Sequence, residues 1–194
     1  MDKKILIPFL IILVLIIGGI IIIIFNKNKK SNNEKILDDN INGKYEHGEL
    51  IEIYYQKDAS YHGGIDHISI TKEEDNYKLM TEHSYENGEP IEIVEYKITG
   101  EEFKELEDYI IKYNLPSWNN FGPPEYEELD GYFQHLSITY KEEINGVLRE
   151  KSYTIGYDQN IPGRGFKLLH DFTDKMQSLA KKENILKEYT KEDV

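Results

Sequence analysis

The segment HGGIDH (62–67) gathers His62, Asp66 and His67, side chains of the type that a divalent cation accepts. Their spacing fits no zinc pattern, and on a strand Asp66 and His67 point to opposite faces, so no metal site is assigned. Gly63 and Gly64 read as turn glycines. A phosphate loop would need Lys and Ser or Thr ahead of a helix, whereas this pair leads into a strand. Ser69 with His67, and Ser137 with His135, pair a hydroxyl with an imidazole at two-residue spacing, which sets them about 7 Å apart on one strand face. That separation and the lack of a glycine elbow favour a hydrogen-bonded cross-strand ladder over a nucleophile and its base. Carboxylate pairs are plentiful at Glu73-Glu74, Glu101-Glu102, Glu127-Glu128 and Glu142-Glu143. They sit beside turns or helix starts, where solvation and the helix dipole account for them, and nothing singles out one pair for glycosidase chemistry. No catalytic residue and no cofactor is assigned.

The segment SWNNFGPPEYEELDG (117–131) holds the only tryptophan, Trp118, with Phe121 and Tyr126 nearby and Glu125, Glu127, Glu128 and Asp130 around them. Aromatic anchors rimmed by acid are what recognition of a basic partner requires, so Trp118, Phe121 and Tyr126 are the expected partner-binding residues. The rival reading turns Trp118 inward as a cap on the core.

These groups must be positioned by strands and helices. Residues 49–56, 65–72, 76–85 and 90–98 are rich in Ile, Tyr, Val and Thr, and Asn87-Gly88 is a hairpin signal. Thr99 and Glu102 form a capping box for a helix over 100–113, with Phe103, Leu106, Ile110 and Tyr113 on one face. Asn114 and Pro116 end it. Two more strands flank Asn145-Gly146, and a helix over 165–182 is expected to bury Phe166, Leu169, Phe172, Thr173, Met176 and Leu179. Residues 183–194 read as a charged, frayed tail.

Compared with itself, the chain shows a recurrence: HISIT (67–71) returns as HLSIT (135–139), and ITGEEFKELEDY (98–109) as IPGRGFKLLHDF (161–172). Both strand motifs are followed at the same offset by Ser-Tyr. This predicts a tandem ββ(β)α pseudo-repeat with copies at about 65–114 and 134–182, superimposable as related units. The expected fold class is α+β: a two-layer sandwich of antiparallel strands with two helices on one face, over residues 44–182. Alternation places Ile68, Ile70, Leu136 and Ile138 toward the helices, and the His, Ser and Thr between them on an open polar face.

Ahead of this domain, after a short tail (1–4), the run ILIPFLIILVLIIGGIIIIIF (5–25) carries no charge. At about 1.5 Å per residue it matches a hydrocarbon core of about 30 Å. The sequence therefore predicts a single-pass transmembrane helix of signal-anchor type, followed by a polar linker over 26–43. The flanking lysines favour a cytoplasmic domain, but a large domain behind a very short N-terminal tail translocates regardless of charge, so the expected placement is extracytoplasmic. Scarce Ala and Arg with abundant Ile, Lys and Asn point to an AT-rich, bacterial source. Residues 1–30 hold five Lys against one Asp, so the remainder carries 18 basic against 35 acidic side chains, a net −17. A domain so acidic repels nucleic acid and anionic headgroups and leaves a basic protein or peptide as the expected partner. The function expected is a membrane-anchored binding module at the cell envelope. An envelope hydrolase with an acidic site and an immunity-type protein neutralising a basic toxin are the alternatives.

Overall fold

The computed structural model describes residues 3–43, 47–58, 64–84, 91–121, 134–156 and 160–191. His62, Tyr126 and the turn at Asn87-Gly88 lie outside them. The fold is α+β, with one seven-stranded, wholly antiparallel sheet and three α-helices among these residues. The elements are α1 (Lys3–Asn42), β1 (Glu49–Asp58), β2 (Ile65–Glu73), β3 (Asn76–Ser84), β4 (Ile91–Lys97), α2 (Gly100–Tyr113), β5 (Gln134–Ile144), β6 (Val147–Gly156), α3 (Gly163–Ser178) and β7 (Ile185–Lys191). Strand order is β6-β5-β1-β2-β3-β4-β7. Alternate sheet residues, among them Ile53, Tyr55, Ile68, Ile70, Leu79, Leu136, Ile138 and Ile155, share one hydrophobic cluster with Phe103, Leu106 and Ile110 of α2 and Leu169, Phe172 and Met176 of α3. Both helices therefore cover the same sheet face.

Local chemistry sets several boundaries where the sequence places them. The Thr99 hydroxyl accepts from the Glu102 amide at 3.1 Å, and the Glu102 carboxylate accepts from the Thr99 amide at 2.8 Å, which satisfies two donors that the helix start leaves open. Asn114 closes α2 in the left-handed region at φ 47°. Asn145 and Gly146, at φ 55° and 76°, make the β5–β6 turn with both central residues in the left-handed region, the geometry that matches strand twist.

Three expectations change. The linker over 26–43 is helical through Asn42, because Ile36, Leu37 and Ile41 recur at helical spacing and pack on the core, Leu37 without any exposed surface. The last helix stops at Ser178, and the tail forms β7, which pairs with β4 along Ile91↔Lys191 to Tyr96↔Ile185. The pseudo-repeat does not superimpose. β2 and β5 both run antiparallel to β1, yet β3 lies beyond β2 on one side and β6 beyond β5 on the other, so matching β2 onto β5 leaves the second strands of the two hairpins on opposite sides.

Among the described residues no helix is long and apolar enough to cross a membrane. The side chains of residues 5–14, much of the expected anchor, lie outside the described set; from Leu15 to Phe25 every large apolar side chain of α1 is exposed.

Candidate functional site

The recurrence of HISIT and HLSIT has a spatial meaning that the failed superposition brings out. β1 is the central strand, and the two motifs flank it in one register: Tyr54 faces Ser69 and Ser137, and Gln56 faces His67 and His135. Residues aligned across a sheet share a face, so this tier stands on the polar side, away from both helices. The Tyr54 ring lies between two imidazoles, 5.6 Å from His67 and 5.7 Å from His135, centroid to centroid. Its hydroxyl donates to Gln56 Oε1 at 3.1 Å, which fixes the ring along the strand.

Hydroxyls surround the ring tier. Ser137 Oγ and Thr154 Oγ1 are 3.2 Å apart, and Thr139 Oγ1 and Ser152 Oγ 2.9 Å, so the cross-strand ladder read from the sequence is present on β5 and β6. Thr139 also donates to Glu52 at 3.5 Å. Glu82 stands across from His67 in the β2–β3 register, so two carboxylates flank the rings. His67 Nε2 is buried and has no hydrogen-bond partner among the described residues. A buried polar atom left so is costly unless a further group reaches it.

Trp118 and Phe121 do not line this face. Trp118 is 0% and Phe121 4% exposed, their rings meet edge to face at 6.4 Å, and the indole N–H donates to the Tyr113 carbonyl at 3.0 Å. The segment Leu115–Asn120 folds as a 3-10 turn directly after α2, and Pro116 at its start turns Trp118 back over the core. The aromatic anchors expected at a partner-binding surface are thus packing residues here, and Tyr126 lies outside the described residues. Asp66 and His67 take opposite faces as their strand spacing requires. Asp66 pairs with His83 across the β2–β3 ladder, on the helix side, at a cleft of about 270 Å³ that Glu92 and Gln177 also line. Asp66 is exposed and His83 half-buried, which makes this a surface ion pair of small energetic weight. Among the described residues no group of three or more His, Asp or Glu converges as a metal site.

A second polar cluster had no sequence signal. His47 precedes β1 by two residues and stacks on Tyr140 at 5.0 Å, its Nδ1 lying 2.6 Å from Glu142 Oε1 and 2.9 Å from the Tyr153 hydroxyl. Lys151 stands 3.8 Å from the same carboxylate and 4.7 Å over the Tyr153 ring. Ninety-five positions separate His47 from Glu142, so only the closed sheet joins them. Gly48 makes the approach possible: a Cβ there would lie 1.9 Å from the Lys141 carbonyl oxygen. This cluster ties the connector between α1 and β1 to the β5–β6 hairpin. No protein-family model matches the sequence, and no curated protein matches it significantly.

Proposed function

We propose that the chain is a membrane-anchored, extracytoplasmic binding module, held by a single-pass helix over residues 5–25, whose polar sheet face receives a basic protein or peptide. The observation that carries this reading is the Tyr54 ring set between His67 and His135 at the centre of an otherwise hydroxyl-lined face. A rigid aromatic offers apolar contact at small entropic cost and a π-face to ammonium or guanidinium groups. Glu52 and Glu82 beside it, and a domain net charge of −17 beyond residue 30, favour and steer a cationic partner. The anchor is supported by the unbroken apolar run in the sequence and by the exposure of every large apolar side chain from Leu15 to Phe25, a surface that water does not tolerate and lipid does.

Fluorescence anisotropy of the full chain in detergent, against labelled Lys/Arg-rich and Asp/Glu-rich peptides, tests the binding role. Basic peptides should bind and acidic ones should not. Tyr54→Ala should weaken binding at least about tenfold, as expected for a central aromatic, while the melting temperature holds. Equal affinity for both peptide classes, or an unaffected Tyr54→Ala, sinks the assignment.

A further inference from the structure

The membrane-side end of the molecule carries a site of its own. α1 does not end where its apolar run ends. It continues to Asn42 and is locked to the domain. Leu37 is fully buried, and a Cβ placed on Gly165 of α3 would stand 3.5 Å from it and 3.3 Å from Trp118, so helix and domain are in close contact at Leu37. Asn114 Nδ2 donates to the Asn40 carbonyl at 2.7 Å, Asn33 Nδ2 to the Asn160 carbonyl at 2.9 Å, and Arg164 pairs with both Asp38 and Glu34. The rod therefore fixes the height of the domain above the bilayer. From Phe25, the last residue of the apolar run, to Asn33, whose carboxamide bonds the Asn160 carbonyl, the helix rises about 12 Å at about 1.5 Å per residue. The headgroup layer on each side of a bilayer is roughly 5–8 Å deep, so the junction of α1 and α3 sits at its outer edge.

A cavity of about 400 Å³ lies at this junction, between α1 and the start of α3, lined by Asn26, Lys29, Lys30, Asn33, Ile161 and Phe166 among others. Its volume falls within the ordinary range of small-ligand sites. The Lys30 ammonium suits a phosphate, carboxamides suit the hydroxyls and ester oxygens next to it, and Ile161 and Phe166 offer apolar contact where acyl chains begin. The local charge differs from that of the rest of the domain: 26–33 holds Lys27, Lys29 and Lys30 and no acid, and the first acid after the apolar run, Glu34, faces Arg164. We infer that this cavity binds the phosphodiester headgroup of an anionic phospholipid and so clamps the domain against the bilayer. The inference rests on residues 5–25 being the anchor.

The test uses the full chain in nanodiscs of phosphatidylcholine, alone or with a minority of phosphatidylglycerol, and native mass spectrometry of the released protein. Phosphatidylglycerol should be retained several-fold above its share of the disc. A Lys30→Gln variant should lose this enrichment by removing charge. Gly163→Leu should lose it by filling space, since the position lines the cavity and a Cβ there meets nothing within 4 Å. Both variants should enter the discs and keep the parent melting temperature. Entry without enrichment, or enrichment that survives both variants, overturns the site alone. Failure to enter discs of either composition overturns the anchor and the site with it. Retention of added glycerol 3-phosphate in phosphatidylcholine discs would reassign the cavity to soluble phosphate esters and overturn the lipid assignment.

Discussion

Glu142 shows how one side chain links distant parts of this chain. Burial acts to raise its pKa, but hydrogen bonds with His47 and Tyr153 and the nearby Lys151 ammonium together hold it below the ordinary 4.5. A carboxylate whose folded pKa is depressed stabilises the fold fully above its unfolded value and loses that contribution as pH falls through the folded one. Urea midpoints measured between roughly pH 5 and pH 3 should therefore fall steeply for the parent and less steeply for Glu142→Gln, which should also be the less stable protein at neutral pH. Parallel acid limbs for the two proteins would mean that the carboxylate is not held ionised by the fold. Glu102 adds a second acid-sensitive contribution, since the Thr99 amide and Lys181 lower its pKa, so a partial flattening is the expected result.

At the scale of elements, the 3-10 turn after α2 turns a would-be recognition loop into core. Trp118→Ala removes the largest fully buried side chain and leaves the indole's partner, the Tyr113 carbonyl, without its donor. Circular dichroism in urea should register a loss of about 3–5 kcal/mol, the range for a large aromatic cut to Ala in a packed core. In the parent, iodide should leave the single-tryptophan emission unquenched; ready quenching with a loss under about 1 kcal/mol would return Trp118 to the surface. Elements fixed by neighbours in sequence were legible from the residues: the Thr99–Glu102 box, the Asn114 stop, the Asn145-Gly146 turn and the alternation of β2 and β5. Elements fixed by distant partners were not. β7 carries five charged or hydroxyl residues in LKEYTK and is an edge strand, a class that mixes in charge to resist stray pairing, so its alternation is weak. Its Tyr189 stands across from Ile93, a contact that no local pattern encodes. The HISIT and HLSIT recurrence was legible, but its cause was misread. Two strands in the same register against one central strand meet the same neighbours, and equal environments favour equal residues without a shared unit.

Over the whole molecule, the largest change from the sequence reading is that the segment between the apolar run and the sheet is structural. A tether of 26–43 would let the domain wander, whereas the observed helix places Leu37 under Trp118 and Gly165, pins Asn40 to Asn114 and sets Arg164 between Glu34 and Asp38. Helix, cavity and sheet face then form one body. The stability of the domain should depend on this segment. A fragment of residues 26–194 keeps the contact, and one of 44–194 loses the burial of Leu37, the partial burial of Ile36 and Ile41, and the cover over Trp118. Uncovering one full Leu site costs about 2–5 kcal/mol once the void is counted, and a domain of this size loses roughly 2–4 °C per kcal/mol. Residues 44–194 should therefore melt some 6–12 °C below 26–194, taking about 3 kcal/mol as the central cost. Leu37→Ser in the longer fragment should recover most of that difference with the helix still attached, which separates packing from chain length. Differential scanning calorimetry that finds the two fragments and the variant melting together would restore the flexible linker, and with it free motion of the domain relative to the helix.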